Sequence, residues 1–414
     1  MSGTAQRNDV HPAIAPWRAR AGELLINGRP LGRVAAEMGA TPFYAYDRAR
    51  IDARVAALRA ALPGDVRLHY AIKANPMPAV VAHLAPLVDG FDVASAGELA
   101  RALDTGMDPA HIGFAGPGKT DAELAEAAAA GILIELESAG EMHRLAAIAE
   151  ARGMRPRVAV RVNPDFRLKG SGMHMGGGPS QFGVDAEAVP DLLHALAGLP
   201  LAFEGFHIFG GSQNLNVDSL IAAERAIAAL AVRLAAEAPA PVRYVNIGGG
   251  FGIPYFPKDR PLDLARLGAA LGAVVATLES ALPGVRVVIE LGRFIVGEAG
   301  LYVCRVIDRK VSRGQIFLVT DGGLHHHLAA TGNFGQGIRR NYPVAIGTRF
   351  GAPPEETVSV VGCLCTPIDL LADHVPLPRA GVGDLVVVFQ SGAYGRSASP
   401  ADFLGHLPPG EILV

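Results

Sequence analysis

The chain reads as an α/β protein: a (β/α)₈, TIM-like barrel followed by a β-domain. Three observations carry that expectation. Between residues 66 and 292, strand-like and helix-like segments alternate about eight times, which suits a closed barrel better than an open doubly wound sheet. After residue 292 the texture changes to Val-rich runs separated by turns, with no good helix between most of them. And 414 residues are too many for one ordinary core, so at least two domains are expected.

The predicted barrel strands are 66–72, 90–94, 111–115, 132–136, 157–162, 202–208, 242–247 and 285–291. Between them lie Ala/Leu-rich stretches of helical period, such as "AGELARALDTG", "DAELAEAAAAG" and "DSLIAAERAIAALAVRLAAEA". The β-domain is read from "AGLYVCRVIDRKV", "QIFLVTDGG", "EETVSVVGCLC" and "DLVVVFQSGAY", as a β-sandwich or Greek-key-like barrel. An early piece, "GELLINGRPLGRVAAEMG", also contains a strand. The domains expected are therefore an N-terminal segment 1–40 packing with the β-domain, a barrel over 41–291, and the β-domain over 292–414.

Composition narrows the function classes. Half the residues are apolar and 19% charged, and the net charge of −3 gives no electrostatic case for nucleic acid or an anionic membrane. No unbroken apolar run approaches the ~20 residues needed to cross a bilayer. The N-terminal residues lack the apolar core of a secretory signal, and three cysteines cannot build a disulfide framework, so a reducing cytoplasm is expected.

The chemistry is sought at the carboxyl ends of the strands, where (β/α)₈ barrels carry their sites. The first strand runs into "HYAIKANP", which puts Lys73 directly after an apolar strand; Lys119, Lys169, Lys258 and Lys310 lie among Gly, Pro, Asp or Arg, as solvated loop residues do. The second strand leads to Asp92, the fifth to Arg161 and the sixth to His207. The seventh ends in "GGGFG", and the eighth delivers Glu290 before "LGR". Singly, each has a plain explanation: a lone strand histidine is usually a hydrogen-bonded core residue, and Arg161 and Glu290 could pair inside the barrel mouth. Together they describe a site for pyridoxal phosphate. That cofactor needs a lysine amine for its aldehyde, unobstructed backbone N–H groups for its phosphate, a stacking partner for its ring, and a buried carboxylate to keep its pyridine nitrogen protonated.

At these residues the sequence resembles the alanine-racemase-fold (fold type III) decarboxylases that act on ornithine, arginine and diaminopimelate. The shared elements are "YAIKAN", "FDVASAGEL", "RVNP", "SQFGVD", "GFHIFGGSQ", "NIGGGFG", "ELGRFIV", "CTPIDLL" and "SGAYG", in family order from about residue 41 onward. The resemblance implies that Lys73 is the Schiff-base lysine, that His207 stacks on the ring and that Glu290 contacts the pyridine nitrogen. It places Ser212, Gly249, Gly250, Gly292, Arg293 and Tyr394 around the phosphate, with Asp92 and Arg161 ordering the pocket. Cys365 matches the family cysteine that enters the site from the other subunit and returns a proton, which implies a homodimer with shared active sites. Cys304 and Cys363 are read as structural.

Three departures bear on the substrate. The loop "HIFGGSQ" is one residue longer than usual, Leu291 replaces a common proline, and Thr366 stands where relatives that hold a distal amine carry an acid. Asp369 and Asp321 are further candidates for contacting substrate. With "GSGMHMGGGPSQFGVD", this pattern looks closer to the decarboxylases of exosortase polysaccharide loci and to those acting on a glutamyl group tethered to an acyl-carrier protein. The expected activity is pyridoxal-phosphate-dependent α-decarboxylation of a free or carrier-bound amino acid. Alternatives are a decarboxylase of free ornithine, lysine or diaminopimelate, an amino-acid racemase, and a non-catalytic cofactor-binding protein. The "CxC" spacing and the run His325–His327 invite a metal, but consecutive residues point apart, so three adjacent histidines make poor zinc ligands and none is expected.

Overall fold

The structure, a computed structural model, describes residues 11–167, 173–174, 176–334 and 336–414. Lys169 and residues 170–172 and 175 of the glycine-rich motif lie outside them. The chain forms two compact units. One comprises Ile51–Ile253 and Pro261–Ile295; the other comprises Met1–Arg50, Pro254–Arg260 and Val296–Val414.

The first unit is the expected (β/α)₈ barrel. Its strands are Arg67–Ala71, Gly90–Val93, Ile112–Phe114, Leu133–Leu136, Arg157–Asn163, Ala202–Ile208, Tyr244–Gly249 and Arg286–Leu291. Neighbours in chain order pair in parallel, and the eighth strand closes the ring on the first, from Val288 beside Arg67 to Leu291 beside Tyr70. Several of these strands, Leu133–Leu136 among them, are buried at every position, because parallel strands in a barrel are covered on both faces. The helices start where the sequence supplies caps. Ser95 and Ser138 each accept the backbone N–H three residues on, and Thr120 forms a capping box with Glu123. Helix Leu264–Ala281 is long and apolar enough to pass for a membrane span by composition. Its Leu267, Leu271, Val274, Val275 and Leu278 are instead buried within the protein.

In the second unit the long strand Gly300–Ser312 is the spine. It pairs antiparallel with Gln315–Thr320 and with Leu385–Val388. Beyond these, Glu356–Val361 and Leu370–Leu377 extend one side of the sheet and Val344–Ile346 the other. Phe43–Tyr46, read from sequence with the barrel, pairs here instead: antiparallel to Gly300–Val303 and parallel to Gly410–Leu413. A barrel closed by eight strands has no free edge to offer it, whereas this sheet satisfies both its edges. The N-terminal Trp17, Leu24, Ile26 and Leu31 join Leu301, Val303, Leu385 and Val387 in one core, so the segment before residue 40 packs with the β-unit.

Candidate active site

Lys73 does not lie in the first strand but in the 3₁₀ turn Ile72–Ala74 immediately after it, which carries its side chain beyond the barrel's end. Its Nζ is 3.2 Å from Glu290 Oε1; the lysine side chain is 41% exposed and the glutamate 5%. The amine therefore opens toward solvent while its counter-charge is buried. Gly292 permits this approach: a Cβ there would sit 2.7 Å from Ala74 Cβ.

Four charged side chains come from alternate strands: Asp92 from the second, Glu135 from the fourth, His207 from the sixth and Glu290 from the eighth. Alternate strands contribute to one layer of a barrel interior, and here that layer is polar. His207 Nδ1 is 2.5 Å from Glu135 Oε2 and its Nε2 is 3.4 Å from Glu290 Oε2, in ion-pair contact rather than well-aligned hydrogen bonds. Burial alone would lower the His207 pKa, but the two glutamates outweigh it and push the ring up to about 9. Burial works to raise Glu290, yet the Lys73 ammonium, His207 and Arg161 hold its carboxyl far below the usual range. Asp92 goes the other way. Burial raises it to about 6, opposed by His69 at 3.3 Å and assisted by the charges of Glu290 and Glu135.

Arg161 does not pair with Glu290. Its Nη1 meets Glu137 Oε1 at 2.6 Å, and Glu137 also accepts the backbone N–H groups of Gly116 and Gly183. Lys119, read as a solvated loop lysine, is buried: its ammonium donates to Gly116 O, Glu135 O and Glu141 Oε1. Sequence reading passed over Glu135 and Glu137, although an acid inside the apolar run "GILIELES" was the available signal. Gly249 ends the seventh strand opposite Glu290, and Gly250 follows at φ +73°. Ser212 follows the sixth strand in a short pairing with Met173, and Arg293 opens the helix Arg293–Val296 after the eighth.

The remaining candidates lie in the β-unit. Tyr394 has φ +53° and its ring is 6.5 Å from that of Phe334. Cys365 is exposed on the loop between Glu356–Val361 and Leu370–Leu377, and Thr366 follows it, half-buried. Asp369 and Asp321 do not present open carboxylates. Asp369, 3% exposed, accepts the N–H groups of Leu324 and Leu364, while Asp321 accepts from the Thr41 hydroxyl and the Arg305 N–H. Of the three histidines, His326 Nε2 lies 2.9 Å from Leu407 O and His327 Nε2 2.9 Å from Ser391 Oγ.

The barrel residues fit pyridoxal phosphate: an accessible amine, an ionised carboxylate beneath it and a glycine turn at the same barrel end. Together they describe a barrel enzyme's site for that cofactor. Residues 48–297 match the pyridoxal binding domain of the pyridoxal-dependent decarboxylases, and the chain belongs to that family. It is 38% identical to an L-glutamyl-[BtrI acyl-carrier protein] decarboxylase of Niallia circulans, over 90% of this chain and 88% of that one. It is 33% identical to a diaminopimelate decarboxylase of Aquifex aeolicus, over 92% and 88%. The crystal structure of diaminopimelate decarboxylase from Helicobacter pylori complexed with L-lysine superposes with a TM-score of 0.79 at 27% identity, covering 89% of this chain and 90% of that one.

Borohydride treatment of the purified protein should fix the cofactor to the Lys73 peptide, and Lys73→Ala should abolish that linkage. Peptide mapping that finds another lysine labelled contradicts the assignment. A second expectation concerns pH. With its pKa raised from 6.5 to about 9, His207 contributes stability in full below pH 6.5 and loses it as pH rises through about 9. Cofactor-free protein should lose on the order of a few kcal/mol across that window. Glu135→Gln should flatten the loss, as read from urea unfolding at a series of pH values; an unchanged slope places the effect elsewhere.

Proposed function

We propose that the enzyme removes the α-carboxylate, as CO₂, from an aminoacyl substrate whose distal end is neutral or tethered, such as a glutamyl group on an acyl-carrier protein. The carrying observation is the state of three residues. Thr366 has no charge, Asp369 is buried and turned toward the backbone N–H groups of Leu324 and Leu364, and Asp321 is engaged by the Thr41 hydroxyl and the Arg305 N–H. A buried distal ammonium requires a paired carboxylate, since an uncompensated charge costs several kcal/mol or more. The relative at 38% identity, whose name specifies a carrier-bound glutamyl substrate, supports the same reading.

When bound, pyridoxal phosphate supplies a sink for the electron pair left at Cα as CO₂ departs. Lys73 would hold the cofactor aldehyde through its amine. Glu290, kept ionised by its cationic neighbours, is the group to hold a protonated ring nitrogen. His207, held cationic between two glutamates, is the residue against which the ring would pack. Cys365 transfers its thiol proton to Cα and regains one from solvent. Its exposure suits a role at a subunit boundary, so the proposal includes a homodimer with shared sites. A reducing compartment, the cytoplasm, completes it, because Cys365 must remain a thiol.

A free diaminopimelate substrate is the second reading, favoured by the relatives that carry that name. To separate the two, kcat/KM is compared for free ornithine, lysine and diaminopimelate and for a carrier-bound glutamyl thioester. The thioester should win and Thr366→Asp should raise any residual diamine turnover. A free diamine ahead by more than about tenfold, ~1.4 kcal/mol, overturns the proposal. Subunit sharing is tested with Lys73→Ala and Cys365→Ala, each nearly inactive alone. After exchange the mixture should regain up to about a quarter of wild-type activity, because each heterodimer holds one intact site of two. No recovery despite demonstrated exchange removes Cys365 from its partner's site.

A further inference from the structure

We propose that His325, Cys363 and His406 bind one borderline-soft divalent cation, zinc foremost, with a fourth coordination position open to water. The three residues come from separate parts of the β-unit, and their ligand atoms all lie within 4.8 Å of one another. Tetrahedral zinc, with bonds of about 2.0–2.3 Å, needs such atoms roughly 3.4–3.6 Å apart. Cys363 Sγ and His406 Nε2 are already at 3.9 Å, and the His325 and His406 rings at 4.9 Å between centroids. His406 is exposed on its loop, so the remaining closure of about an ångström needs no repacking of the core.

The sharpest observation is His325 itself. It is fully buried, and neither ring nitrogen has a hydrogen-bond partner among the described residues. Leaving such a group unsatisfied is costly, so an imidazole placed there without a ligand is expensive. Its two neighbours in sequence are not in that condition, since His326 faces Leu407 O and His327 faces Ser391 Oγ. The run does diverge, as expected, and that divergence leaves one histidine for the cluster.

The surroundings are built to hold the ligands in place. Asp369 accepts the N–H groups of Leu324 and Leu364, the residues adjoining His325 and Cys363, and so ties those two segments together. Gly323 and Gly362 make room for it: a Cβ on either would lie 2.2 Å from an Asp369 oxygen. The third ligand is tied through His326 Nε2 to the carbonyl of Leu407, next to His406. These ties fix the backbone on which the three ligands stand. Two imidazoles and a thiolate select zinc or another borderline-soft ion over magnesium and calcium, which take oxygen. The Cys363 proton leaves to solvent as Sγ bonds the metal.

The test uses the full chain, without an affinity tag, stripped with a chelator and titrated with Zn²⁺ alone, with bound metal measured by mass spectrometry. The expected result is one zinc per chain, and with Co²⁺ the red-visible bands of a tetrahedral thiolate site. His406→Ala, at an exposed position that does not threaten folding, and Cys363→Ser should each weaken binding by at least about a hundredfold. Cys365→Ser and His374→Ala should leave it unchanged. Sub-stoichiometric zinc, binding indifferent to His406→Ala and Cys363→Ser, or equal loss in Cys365→Ser overturns the site. None of these readouts involves turnover, so the outcome is independent of the substrate proposed above.

Discussion

The barrel interior is organised by one constraint: a row of alternating charge in which Glu290, His207 and Glu135 are buried and Lys73 forms the solvent-facing end. Buried charges are tolerated only when paired, and removing one partner typically costs about 3–5 kcal/mol because its neighbour is left uncompensated. Each member here has an opposite charge on at least one side. The arrangement also fixes protonation. Glu290 is flanked by two cations and stays ionised, while His207 is flanked by two anions and stays charged above neutral pH. Asp92, whose acidic neighbours add to its burial, instead drifts toward neutrality. Glu290 and Asp92, two acids of one layer, are thus pushed to opposite sides of their ordinary range by where the cations stand.

The architecture makes that row possible because strands two, four, six and eight each contribute one side chain to the layer. The third strand yields space for it. Gly113, on the third strand, has no side chain where a Cβ would lie 2.7 Å from Asp92 Oδ1. A residue such as Glu135 consequently has two obligations, to the His207 ring and to the Tyr244 hydroxyl 3.4 Å away. Neither can be seen along the chain, where Glu135 is simply an acid in an apolar strand.

That distinction explains what the sequence disclosed. The eight strands were legible because a parallel barrel imposes continuous apolar runs and the helices between them carry explicit caps. Lys73, His207 and Glu290 were legible because each sits at or just beyond a strand's carboxyl end. The partners were not. Arg161 pairs with Glu137 rather than Glu290, and Lys119 is buried by three oxygens rather than solvated. Both outcomes depend on how neighbouring βα units pair, with Leu136 beside Val160 setting Glu137 next to Arg161, which is a property of strand register and not of local pattern. The strand Phe43–Tyr46 went astray for a related reason. Its neighbours, Gly300–Ser312 and Gly410–Leu413, lie more than 250 residues away in sequence.

The β-unit shows why residue type alone misleads about recognition. Aspartate in a loop can hold a substrate's ammonium or hold the loop itself, and residue type does not say which. At Asp369 both oxygens accept backbone N–H groups, beneath two glycines that no larger residue could replace without displacing it. That carboxylate fixes the path of the chain entering "CLCTPID", and with it the positions of Cys363 and Cys365. The same bond pattern that turns this acid inward ties the segment before His325 to the loop that carries Cys363 and Cys365.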